Sequence, residues 1–310
     1  MASVRPGLLV VDKARGPTSH DVVGMVRRAM GTRHVGHAGT LDPMATGVLV
    51  LALGEATKLL TYLAFEAKSY EARIRLGQQT DTLDALGKVV AEQPPDEALV
   101  AALDRPDAAF APRIAGAVAA ELARTSQDPP VFSAIKQQGE PAYARARRGE
   151  AVDLPPRPVR VHELTVTATA GTPSPSLDLR VTADKGYYVR SLGRDLARGL
   201  GTVGHLVALR RVASGGFTVG EAVSLPCARE VLESRIVPLT VAARRALPSA
   251  TLTDDGVTFA RCGKRLAVER FDGDVPRAQP SAWFDRSGAL VAVGIFEEDG
   301  RVLRGFVEEA

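Results

Sequence analysis

Residues 34–58, HVGHAGTLDPMATGVLVLALGEATK, decide how the chain is read. They set one carboxylate, Asp42, between Gly39 and Gly47 and directly before Pro43, then run into the apolar series of residues 48–53. The glycines permit close backbone approach and unusual dihedrals, and the proline stiffens the chain beside the acid. Such a loop can aim a carboxylate. An Asp-Pro pair is also, and more often, an ordinary turn whose side chain only caps backbone N–H groups.

Outward from this loop the periodicities alternate. GLLVVDK (7–13) reads as a buried strand, followed by the turn ARGPTS and a helix from about His20 to Met30 that Thr18 or Ser19 can cap and Gly31 can end. GVLVLALG predicts a strand and EATKLLTYLAF a helix. Tyr70, Ala72, Ile74 and Leu76 share one face of a further strand, with Glu71, Arg73 and Arg75 on the other. Residues 92–130 predict helical segments between breaks. Two strands around VRVHELTVTATA and SLDLRVTADKGYYVRSL, joined by GTPSPS, predict antiparallel pairing. SLGRDLARGLG reads as a helix ending at Gly201, with Leu192, Leu196 and Leu200 on one stripe and Arg190, Arg194 and Arg198 on another. After about residue 245, short strands separated by DRSG and EEDG predict a small β domain with its own core.

With 310 residues and 45% hydrophobic content, the chain can bury one large core and a smaller appended one. No apolar run reaches the roughly 20 residues of a membrane helix, and MASVRPGLLVVDK lacks the layout of a signal peptide, so no membrane association and a cytoplasmic address are expected. Cys227 and Cys262 have no metal-ligand spacing, and His34 with His37 alone makes no metal site. The net charge of +3 is uneven: residues 251–310 carry 8 Lys and Arg against 11 Asp and Glu, leaving 31 against 25 for the rest. Basic charge is densest from Arg180 to Arg211, and Lys136, Arg145, Arg147, Arg148, Arg157 and Arg160 outnumber the acids of a proline-bounded segment. A polyanion is a reasonable partner, although a solvated basic face gives the same pattern.

A carboxylate can act as a covalent nucleophile only if it stays ionised where water is excluded, and a neighbouring guanidinium both favours the charged form and fixes its orientation. By pattern, Arg190, between the apolar YYV and a helix, is the best placed arginine; a phosphate contact or plain surface charge is its other reading. No GxxxxGK[ST], GxSxG or HExxH pattern is present and no GxGxxG opens a helix after a strand, so no nucleotide, metal or redox cofactor is expected. Asp81 and Asp84 could bind a cation or cap a turn.

Five motifs carry a resemblance: GLLVVDKARGPTSHDVV, VGHAGTLDPMATGVLVLALGEATK, KSYEARIRLGQQTDTLDALG, PPVFSAIKQQGEPAYARARRG and DKGYYVRSLGRDLARGLG, closing with HLVALRR. From about residue 7 to 225 the chain resembles the TruB family of bacterial tRNA pseudouridine synthases, which isomerise uridine at position 55 of the T loop. The resemblance implies an α+β fold: a catalytic domain over 1–245 on a mixed, largely antiparallel sheet, with an RNA-gripping loop at about 126–157, and a PUA-like β domain over 246–310. It gives Asp42 the role of the catalytic aspartate that assists cleavage of the C1′–N1 bond. Tyr70 becomes the residue that stacks on the target base and helps remove the C5 proton, and Arg190 the arginine that pairs with the aspartate. Tyr188 and Leu209 would line the uracil pocket, and His37 would enter the T loop. Lys13, Lys136, Arg145, Arg148 and Arg194 would contact RNA. The implied partner is the T arm of tRNA, with no obligate protein partner and a monomeric enzyme. Residues 104–130 depart from the family's compact phenylalanine–glycine–glutamine spacing, and the acidic C-terminal region differs from a phosphate-binding one. Two alternatives stay open: a tRNA-folding protein with dispensable catalysis, and a synthase for another RNA.

Overall fold

The alternation at residues 70–77 becomes the strand Lys68–Leu76 of a computed structural model that describes residues 4–63, 67–104, 112–137 and 139–306. Ala72, Ile74 and Leu76 point into the protein while Arg73 and Arg75 stay exposed. No helix among the described residues is long and apolar enough to cross a membrane. The chain forms two compact units, one of residues 42–47 and 66–214, the other of residues 1–41, 48–65 and 215–310.

In the first of these, four antiparallel strands lie in the spatial order Val161–Ala170, Ser176–Ala183, Lys68–Leu76, Gly204–Ser214. Thr46 and Gly47 pair in parallel with Arg210 and Arg211. Gly47 is required there: its φ is +99°, and an added Cβ would sit 2.1 Å from the carbonyl oxygen of Arg211. The helix Val189–Gly199 packs on the Gly204–Ser214 strand through Gly193 and Ala197 and buries Leu192 and Leu196, each burial stabilising by about 1.5–3 kcal/mol. The helices Glu97–Leu103 and Pro112–Leu122 stand where helical segments were expected, while residues 105–111 lie outside the described residues. The proline-bounded basic segment folds into a small hairpin of Lys136–Gln137 with Glu140–Pro141, the helix Ala142–Arg147, and a return strand Arg157–Pro158 paired with Ser126–Gln127.

The other unit contains the strand Gly7–Lys13, paired in parallel with Val223–Ser224 and antiparallel with Val237–Pro238. The helix Ser19–Met30 starts at a capping box, in which the Thr18 hydroxyl accepts from Asp21 N and the Asp21 carboxylate accepts from Thr18 N. It ends at Gly31 in the left-handed region. The predicted helix after residue 54 is a 3-10 turn over Gly54–Leu59 leading into Leu60–Leu63, and its last two predicted residues lie outside the described residues. Residues 249–305 carry the separate five-stranded sheet, consistent with the PUA-like domain implied above. The sequence patterns did not show its helix Asp254–Arg261. Nor does this sheet rest on its own core alone. Trp283, Phe271 and Phe296 cluster on one side, whereas Ala282, Phe284, Leu290, Val293 and Phe306 join one cluster with Leu8, Val10, Val48, Val50 and Leu59.

Candidate active site

The Asp-Pro pair does make the ordinary turn: Ala45 N donates to Asp42 O at 3.0 Å, with Pro43 and Met44 at the corner. The turn uses the main chain and leaves the Asp42 carboxylate for another partner. Upstream, Ser19 anchors the loop through both main-chain groups of Leu41, accepting from its N–H at 2.8 Å and donating to its carbonyl at 3.1 Å.

Arg190 meets that carboxylate side-on. Its Nε lies 2.8 Å from Oδ2 and its Nη2 3.3 Å from Oδ1, while Nη1 donates to the carbonyl of Thr82 at 3.0 Å. The Arg190 side chain is 6% exposed and that of Asp42 34%, so a nearly buried cation holds an acid that still reaches solvent. The aligned hydrogen bond is the one from Nη2; the buried Nε lies at ion-pair distance without hydrogen-bond alignment, so one directional bond and close opposite charge together hold the acid. The loop that offers Thr82 O is itself tightly folded. Leu83 has φ +59°, and the buried Asp84 accepts from Thr82 Oγ1 at 2.7 Å and Leu86 N at 2.9 Å. Asp81 accepts from Lys88 N. Both acids therefore cap turns, and no group of three or more His, Cys, Asp or Glu among the described residues could hold a metal ion.

Tyr70, half-buried, lies in register with Arg211 on one side and Val181 on the other, and Arg211 is in register with Gly47. Ala72 is opposite Leu209, so Tyr70, Leu209 and Arg211 share one face of this sheet. Tyr188 precedes the helix that carries Arg190, and burial pushes its phenol up. Its main chain is gripped by the Gln127 side chain, whose Oε1 accepts from Tyr188 N at 2.9 Å and whose Nε2 donates to Tyr188 O at 3.2 Å. Thr82 and Gln127 were missed in the sequence because their roles run through main-chain contacts across 108 and 61 residues of chain.

His37 and Lys13 belong to the other unit. His37 ends the strand Val35–His37. Lys13 is corrected as an RNA contact: it is 0% exposed, and its ammonium donates to Ala14 O at 2.9 Å and Pro17 O at 2.8 Å, closing the turn after its strand. Lys136 is exposed. Arg145 is bonded to Glu150 at 2.8 Å, and Arg148 spans Glu150 and Glu140. These arginines hold both carboxyls below the usual carboxylate range. The expected arginine stripe is divided: Arg190 turns to Asp42, Arg194 to Asp195 and to Asp128 O, and Arg198 is exposed.

Residues 27–189 match the TruB family pseudouridylate synthase N-terminal domain. The tRNA pseudouridine synthase B of Arthrobacter sp. (strain FB24) is 44% identical over 293 residues, spanning 93% of this chain and 92% of the relative. That of Thermobifida fusca (strain YX) is 44% identical over 302 residues, 96% of this chain and 92% of its own. Among solved structures, a Cbf5-Nop10-Gar1 complex superposes with a TM-score of 0.69 at 24% identity, covering 98% of this chain and 84% of that one. A likeness at that identity speaks for the fold. Identity this high over nearly the whole length, joined to the match across the Asp42 loop, makes the chain a member of the TruB family of pseudouridylate synthases.

Proposed function

We propose that the protein is a tRNA pseudouridine synthase that isomerises the uridine at position 55 of the T loop, with Asp42 as its catalytic carboxylate. The observation that carries this reading is the side-on pair of Asp42 and the nearly buried Arg190, in a chain of this family. The target nucleotide must leave its stack to reach the acid, which costs a few kcal/mol. Tyr70, on the face shared with Leu209, offers a ring for the extruded base, and stacking contributes about 1–3 kcal/mol per base in comparable systems.

Asp42, oriented by Arg190, assists cleavage of the C1′–N1 bond. The freed uracil turns and C5 bonds to C1′; the C5 proton is lost to a base and N1 takes up one proton, so that product and substrate have the same composition. Arg190 cannot swing away without giving up Thr82 O. Tyr188 and Leu209 line the base pocket, and His37 enters the T loop. Lys136, with the hairpin and helix around it, approaches the RNA backbone; Arg145 and Arg148 do so only by exchanging their carboxylate partners for phosphates. The reading includes a cytoplasmic enzyme acting as a monomer, and a division into a catalytic domain over 1–245 and a PUA-like domain over 246–310.

The test is nucleoside analysis of a tRNA transcript after incubation with wild type and with Asp42→Ala. Pseudouridine at position 55 from the wild type alone is the expected result. Product from both proteins removes Asp42 from its role, and product from neither favours a tRNA-folding protein.

A further inference from the structure

We propose that Gln127 is a positioning residue for Asp42 and Arg190: its amide clamps the main chain of Tyr188 and so fixes the first turn of the helix that delivers Arg190. The inference rests on the reading above that this pair is the reacting centre. Gln127 is 2% exposed and spends both ends of its amide on one residue. Tyr188 is the helix N-cap but has no side-chain cap bond. Its carbonyl already accepts from Leu192 N at 3.1 Å, and Gln127 Nε2 takes the second lone pair. Gln127 therefore stands in for a missing strand partner at the point where the chain turns into the helix.

The next residue extends the grip. Asp128 O accepts from Ser191 Oγ at 2.8 Å and from Arg194 Nη2 at 3.2 Å. Residues 127 and 128 thus hold Tyr188, Ser191 and Arg194, which bracket Arg190 on both sides. A charged hydrogen bond loses strength steeply as its donor moves off line, so a small shift of this turn is felt at Asp42. Gln127 is also in register with Arg157, the return strand of the basic segment.

Two variants test the clamp. Gln127→Ala removes both hydrogen bonds. Gln127→Glu keeps an acceptor for Tyr188 N, but as a carboxylate it opposes Tyr188 O; protonated, it regains the donor. With a tRNA transcript, Gln127→Ala is expected to lose tenfold or more in kcat with KM within twofold of wild type. The kcat of Gln127→Glu, relative to wild type, is expected to rise several-fold from pH 8 to pH 5.5, whereas the ratio for Gln127→Ala stays flat. The geometry is read without turnover from the Arg190 Nη–H resonances, whose protons bond Thr82 O and Asp42, identified by their loss in Arg190→Lys. Their protection from exchange should fall tenfold or more in Gln127→Ala and recover in Gln127→Glu at pH 5.5. If the alanine variant does not fold, Gln127→Glu compared with itself at the two pH values carries the test. Wild-type protection and kcat in Gln127→Ala, or a pH-independent Gln127→Glu, overturn the proposal. A wild type that forms no pseudouridine overturns the functional reading, and the exchange data still decide the clamp.

Discussion

Replacing Arg190 by lysine keeps the charge and removes the fork. One ammonium cannot span both oxygens of Asp42 and also reach Thr82 O, so Arg190→Lys should lose about 3 kcal/mol of transition-state stabilisation, on the order of 100-fold in turnover, with tRNA affinity retained. Single-turnover rates and filter binding separate the two, and near-normal turnover would refute the pairing. A different arginine contributes to the pH dependence of stability. Hydrogen bonds from Arg245, the largest influence, hold Glu221 below its ordinary value of 4.5. A depressed pKa contributes stability above the ordinary value and loses it as pH falls through the folded one. Glu221→Gln should therefore be less stable than wild type at pH 7, by under about 1 kcal/mol given its exposure, and the gap should close in strong acid. Urea midpoints at the two pH values check this. At this scale the sequence showed which residues bear chemistry and not where their partners lie. Asp42 and Arg190 stood out by composition of their surroundings, but a lysine at position 13 reads as a surface charge until its two carbonyl partners enclose it.

Strands and helices were more legible than single contacts, because burial on one face imposes a period. The residues 70–77 alternation and the Thr18 and Gly31 caps mark their elements as the structure has them. The helix Asp254–Arg261 escaped notice because it is a short element among strand and turn signals. The basic segment read as an exposed loop because its elements span only two to six residues each and leave no repeating pattern. Gly47 shows what a turn signal cannot reveal. The sequence allows close backbone approach at Gly47 without naming the partner, and its register with Arg211 leaves no room for a side chain. Gly47→Ala should lose at least 2 kcal/mol from a clash with backbone and a disfavoured φ, and should lower turnover in the same variant because Asp42 lies on the same segment. Equal stability by urea denaturation would mean that the two strands can part without cost.

Considered whole, the protein joins distant parts of its sequence in a single cluster. Leu8, Val10 and Val50 share it with Phe284, Leu290 and Phe306. A chain ending at residue 246 would uncover the face where Phe284, Leu290, Val293 and Phe306 belong, and losses of about 2–5 kcal/mol at each are together comparable to a whole stability of about 5–15 kcal/mol. The shortened protein should aggregate or lack a cooperative urea transition, and a monomeric, cooperatively unfolding product would show that the N-terminal strands need no C-terminal support. The same cluster sets a timetable for synthesis. Leu8 leaves the ribosome long before Phe284 exists, and at about 5–20 residues per second the wait is roughly 15–60 s. Through that interval the nascent chain carries sticky surface with no mate, so slow or stalled translation is when this protein is most exposed to capture by chaperones and proteases.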